Sequence, residues 1–270
     1  MTVPHSDGFV PDLIASAAPR VVWILGTDMT GDTEALAFSG EQWTLMTLPE
    51  GGNSLVVLGN DNVWIGGSGS CSPSGAACTT TVEHWDGASW HSSTLPVGAA
   101  TVTGKGRQVW LAGSRVDKGG IYPRGREAVF RWMSGRWIQV AAPDREIVGY
   151  PSPGVSPTAE VWLLAKNAGA AKPHLDQRIG RRWSKFKVPD DLGTAANSAQ
   201  LSFDGYHGFW VDSDHWTGQR WIRTLLPGQK STVVAEYSTA PVPGMSSAWG
   251  IAQTSGATPL SVLAIYGKLP

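Results

Sequence analysis

Charge is scarce in this chain. Only 16% of its 270 residues are charged, with 21 basic residues against 22 acidic ones and a net charge of −1. That balance excludes a basic nucleic-acid groove, an acidic tail and an anchor for anionic membranes. No apolar run approaches the ~20 residues of a membrane-spanning helix, and the start lacks the basic-then-apolar pattern of a signal peptide. Cysteine is nearly absent, with Cys71 and Cys78 the only two. No segment carries an apolar stripe of helical period. What the chain has instead is 33 glycines, 18 prolines and 14 tryptophans, with 41% apolar residues. That supports a sizeable core, argues against disorder, and leaves little room for long helices.

A repeat organises this composition. A short apolar strand carrying Trp recurs as VVWILG at 21–26, NVWIGG at 62–67, QVWLAG at 108–113 and EVWLLA at 160–165, with weaker copies at 208–213 and 247–252. A second pattern, an aromatic strand, a Gly turn, a Trp and a Pro, reads FSGEQWTLMTLP at 38–49, WDGASWHSSTLP at 85–96 and WMSGRWIQVAAP at 132–143, and returns at 178–189 and 216–227. Its Trp-to-Pro distance is six in all five copies, from Trp43–Pro49 to Trp221–Pro227. Each unit therefore holds about four short strands in roughly 40–50 residues, the length of a β-propeller blade. A lone four-stranded meander exposes both faces. Each Trp has about 150–250 Å² to bury, worth roughly 4–6 kcal/mol, and only stacked neighbours can cover it. The periodic tryptophans are accordingly read as packing residues.

The expected fold is all-β: a six-bladed β-propeller of four-stranded antiparallel blades, forming one domain over 1–270. The chain ends on SVLAIYGK at 261–268, a third strand whose Gly267 extends the turn series Gly40, Gly87, Gly135, Gly180 and Gly218. MTVP at 1–4 matches the close of a fourth strand, as in MTLP at 46–49. The last blade is thus expected to be closed by an N-terminal strand, which removes an open sheet edge.

At these patterns the chain resembles the Kelch-like propellers, the group that includes the galactose-oxidase central domain. NVWIGG followed by VEHWDGASW at 82–90 is the best copy. Only Gly66–Gly67 keeps the paired glycines of that pattern. WDGASW at 85–90 is also similar to the degenerate Asp boxes of sialidase-type propellers, which are turn devices. Neither likeness carries over a catalytic residue: no arginine triad and no copper-ligand pattern stands at matching positions.

In such a meander the links from second to third strand share a face with the links between blades, and the tight Gly turns lie on the other. The second-to-third links are long and dissimilar, at 26–34, 67–81, 113–127 and 165–176, and recognition is expected on their face. Cys71 and Cys78 read as a local disulfide there, with free thiols or a metal pair as alternatives. The bond would imply an extracellular or periplasmic location. A native start at Met1 would imply the cytoplasm. The candidate ligand-binding residues are Arg115, Asp117, Tyr122, Arg124 and Arg126 of the third link, with Lys118 and Glu127 beside them, then His174, Asp212 and His215. Arg and Tyr donate well to carboxylates and sugar hydroxyls. Asp212, Asp214 and His215 are expected near the rim of the central channel. Asp28, Asp32 and Glu34 offer oxygens for Ca²⁺ or an acid–base pair, without a calcium-loop template.

No nucleophile elbow, catalytic triad, phosphate-cradling loop or cofactor signature is present. The expectation is a non-catalytic, monomeric propeller that recognises a glycan or protein through one face. The alternatives are a hydrolase or lyase acting on a carbohydrate or small molecule at the channel mouth, and an assembly domain.

Overall fold

The computed structural model describes residues 9–18, 20–72, 78–98, 100–118, 124–170, 172–189, 201–203, 208–211, 214–223, 238–241, 247–253, 262–264 and 267–268. Among them are 24 strands and no helix, so no helix is long and apolar enough to cross a membrane. The strands fall into six consecutive units. Unit one holds β1 (Val10–Ala18), β2 (Val21–Thr27), β3 (Thr33–Phe38) and β4 (Trp43–Thr47). Unit two holds β5 (Gly52–Gly59), β6 (Asn62–Cys71), β7 (Cys78–Trp85) and β8 (Trp90–Leu95). Unit three holds β9 (Ala100–Lys105), β10 (Gln108–Lys118), β11 (Arg124–Met133) and β12 (Arg136–Val140). Unit four holds β13 (Glu146–Val155), β14 (Val161–Asn167), β15 (His174–Ile179) and β16 (Arg182–Phe186). Unit five holds β17 (Leu201–Phe203), β18 (Phe209–Val211), β19 (Asp214–Trp216) and β20 (Trp221–Arg223). Unit six holds β21 (Ser238–Pro241), β22 (Ser247–Gln253), β23 (Val262–Ala264) and β24 (Gly267–Lys268).

In the first five units each strand pairs antiparallel with the next. The first strands also form a cycle: β1 touches β5, β5 touches β9, and so on through β13, β17 and β21, which returns to β1. Side chains tie this inner ring together. Ser54 Oγ accepts from Val102 N at 2.9 Å, Ser152 Oγ accepts from Leu201 N at 2.9 Å, and Thr101 donates to the Pro151 carbonyl. Gly66 sits against this ring, where a Cβ would come within 2.3 Å of Ser54 Oγ.

The tryptophan repeat has the expected packing role. Trp23, Trp64, Trp110, Trp162 and Trp210, on successive second strands, are all buried. Trp23 lies 6.5 and 6.0 Å from Trp85 and Trp90 of the next unit, and Trp64 lies 4.9 and 5.5 Å from Trp132 and Trp137. The first two units thus bury their indoles against the third-to-fourth-strand hairpin of the next unit, while Trp162 meets Phe203 and Phe209 on the first and second strands of unit five, contacts that no single sheet could supply. Those hairpins turn on Gly40, Gly87, Gly135, Gly180 and Gly218, with φ between 63° and 95°, a region glycine enters without steric cost.

Two sequence expectations change, and a third falls outside the described residues. Gly267 lies inside the sheet opposite Ala248, and β23 and β24 both pair with β22, so they form one interrupted third strand and no turn glycine. The N-terminal closing strand at 1–4 lies outside the described residues. The described residues of the second and third long links are nearly all strand: β6 runs to Cys71 and β7 begins at Cys78, whose Cα positions are cross-strand partners and whose side chains form the disulfide. The β10–β11 hairpin likewise overshoots its own unit. Its end pairs with β13, through Arg124–Val148, Gly125–Ile147 and Arg126–Glu146, and joins units three and four into one eight-stranded sheet.

Candidate functional site

That junction gathers the polar residues of the long-link face. Arg124, Arg126 and Glu127 stand at the start of β11, His174 and Asp176 at the start of β15, and Asp144, Arg145 and Glu146 on the link into β13. Side chains alternate across a strand, so Glu127 faces unit four while His174 and Asp176 face unit three, and the three meet in the seam. His174 Nε2 lies 3.1 Å from Glu127 Oε1 and 3.4 Å from Asp176 Oδ2. Arg145 grips Asp176 with both terminal nitrogens, one to Oδ1 at 3.0 Å and the other to Oδ2. Glu127, His174 and Asp176 are buried.

Four buried polar atoms at this end of the seam have no protein hydrogen-bond partner: Glu127 Oε2, His174 Nδ1, Asn167 Oδ1 and, on β10, Ser114 Oγ. An unmet buried polar group costs about 1–3 kcal/mol, so four of them together offer a ready set of donors and acceptors. The imidazole fills the space between the carboxylates. Among the described residues no three His, Cys, Asp or Glu side chains stand where they could hold a metal ion.

The rest of the expected site divides. Arg124 Nε pairs with Glu146 at 2.6 Å and Arg126 with Asp144 at 2.7 Å; both pairs are well exposed, a setting in which such contacts contribute about 0–1 kcal/mol. Arg115 donates to Gln139 on the outer strand β12. Asp117 is in β10; Tyr122 and Asp212 lie outside the described residues. His215 is buried, with its ring flat on Trp210 at 4.2 Å and 11°. In the first link Asp28 Oδ1 accepts from Thr30 N at 2.8 Å, Thr30 Oγ1 at 2.7 Å and Asp32 N at 3.0 Å, which ties that oxygen to its own turn. The Thr30 hydroxyl foremost holds its pKa below the usual carboxylate value.

Arg145 and Asp176 were not singled out from sequence. Two signals stood there: the charged run Asp144–Arg145–Glu146 on an otherwise short link, and an Asp between Leu175 and Gln177 at a position that the strand alternation turns inward.

No family model matches the chain, and no curated protein matches it in sequence. Solved structures do. The six-bladed β-propeller lectin of Aleuria aurantia superposes with a TM-score of 0.59 at 12% identity, covering 98% of this chain and 99% of that one. The SapL1 lectin, solved with α-methyl fucoside, gives 0.58 at 11%, covering 98% and 97%. A Trypanosoma rangeli sialidase gives 0.59 at 9%, covering 96% of this chain but 55% of its own. At these identities the likeness is one of fold: the chain is an all-β β-propeller.

Proposed function

We propose that this protein is a non-catalytic, carbohydrate-binding propeller that takes sugar hydroxyls at the long-link end of the seam between units three and four. The observation that carries the reading is the set of unpartnered buried atoms on Ser114, Glu127, Asn167 and His174. A carboxylate oxygen, an imidazole nitrogen and a hydroxyl are complementary to vicinal hydroxyls, and Arg145 holds Asp176 so that His174 keeps its orientation. Arg115, Arg124 and Arg126, with Asp117 and Tyr122, would border the bound sugar, and Asp212 belongs to the same face. The fucose bound by the SapL1 lectin makes fucose the first sugar to test.

The finer architecture belongs to the same reading: one domain of six Kelch-like blades, the last completed by the N-terminal segment, monomeric, and extracellular or periplasmic because of the Cys71–Cys78 bond. A glycan array with calorimetry on the retained sugars tests the function. Retention of a neutral glycan, weakened about tenfold or more in Glu127→Gln with unchanged unfolding temperature, is expected. No retained glycan, or binding indifferent to Glu127, overturns it. A hydrolase reading draws on the two carboxylates beside His174; turnover of the retained glycan would favour it.

A further inference from the structure

The opposite end of the same seam, on the tight-turn face, is built differently. A groove of about 370 Å³ opens there between units three and four, lined by Gln108, Trp110, Arg131, Glu160, Arg178 and Ile179 among others. That volume is within the usual range for small-molecule sites, about 300–1,000 Å³. The guanidinium carbons of Arg131 and Arg178 lie over the Trp110 ring, 5.3 and 5.0 Å from its centre. Arg131 comes from β11 of unit three and Arg178 from β15 of unit four, so the two cations converge from different units. No carboxylate among the described residues pairs with either, and the Nε of each is buried without a hydrogen-bond partner. Glu160, the acid in the groove, is held by Thr158 Oγ1 at 3.2 Å and Ser156 Oγ at 3.5 Å. Burial, then the charges of Arg131 and Arg181, lower the pKa of Arg178 from its ordinary value. Two guanidiniums that repel each other thus stand in a concave, half-buried place with no carboxylate among the described residues paired to either.

We infer that this groove binds a carboxylate carried on a ring of monosaccharide size, the carboxylate taken by Arg131 and Arg178 and the ring lying against Ile179. Paired guanidinium donors match the two oxygens of a carboxylate, and Ile179, 60% exposed at the rim, supplies an apolar wall. The neighbouring seam sharpens the assignment. At the corresponding places between units two and three stand His84, stacked 3.9 Å from Trp64, and Trp132. That groove, about 340 Å³, has Asp61 and Arg107 among its lining residues and no pair of converging arginines.

The ring acid has two sources, a uronic acid of an acidic glycan or a free aromatic acid, and the titration separates them. Calorimetry at low salt would use sodium glucuronate, benzoate, acetate and glucose against the whole protein. Glucuronate or benzoate is expected to bind about tenfold or more tightly than both acetate and glucose. The tighter of the two names the source, and added salt should weaken it. Arg178→Gln should abolish that preference while Glu127→Gln, at the other end of the seam, preserves it; the two sites therefore fail separately. Equal affinity for ring acids, acetate and glucose, or a preference that survives Arg178→Gln with the unfolding temperature unchanged, overturns the inference.

Discussion

The two ends of one seam use the same residue types in opposite ways. On the long-link side, Arg124, Arg126 and Arg145 each meet a carboxylate, and the innermost acids are buried around His174. On the tight-turn side, Arg131 and Arg178 meet an indole and each other's charge. The first end is held together by its ion pairs and leaves neutral hydrogen-bonding capacity over. The second leaves charge over. A propeller seam is therefore not one kind of interface along its length. Its middle, with Trp110, Leu163 and Val155, is an apolar core, while each end is free to specialise because the sheets diverge into links of different length.

The largest test of this contrast removes Asp176. Asp176→Ala leaves Arg145 and His174 without their shared partner, and breaking a buried pair in this way costs about 3 kcal/mol or more; urea unfolding should show it as a lower midpoint with unchanged slope. A loss below about 1 kcal/mol would mean the long-link end is not stabilised by its ion pairs.

Next in size is a pH effect at the neighbouring seam. Burial foremost, and then the His91 charge, lower the His84 pKa below 6.5, against the opposing pull of Asp86. The folded state therefore binds this proton less readily than the unfolded chain. Stability from His84 is complete above the unfolded value and declines as pH falls through about 6.5. Thermal unfolding between about pH 7.5 and 5.5 should fall less steeply in His84→Gln than in the wild type; identical slopes would contradict this.

The smallest effect is expected at Arg178. It is half-buried and faces like charge, so Arg178→Gln should change stability by no more than about 0.5 kcal/mol in either direction. Denaturant titration beside Asp176→Ala measures the contrast directly. A loss comparable to that of Asp176→Ala would show Arg178 to be structural and erase the difference between the two ends.

Much of the architecture was legible from spacing. The Trp-to-Pro interval and the turn glycines mark hairpins whose geometry is local, so Gly40, Gly87, Gly135, Gly180 and Gly218 could be assigned without tertiary information, and their positive φ values agree. Gly267 misled because a turn glycine and a strand glycine look alike in isolation. The links misled because residues 113–118 and 124–127, polar and irregular as text, pair with one another as β10 and β11, and Arg124–Arg126 pair further with β13, a strand beyond their own unit. His174 and His215 are singled out in sequence for residue type alone; packing separates their surroundings, one beside two carboxylates and the other flat on Trp210.

What the amino-acid order determined by itself is the unit: four strands, a glycine turn and an indole that one sheet cannot cover. Tertiary structure decided which charges meet. Arg145 reaches Asp176 across 31 positions and His174 reaches Glu127 across 47, distances over which no periodic pattern specifies a contact. Those partners are chosen by how adjacent sheets stack and by which strand overshoots its unit, and both depend on the packing of whole units.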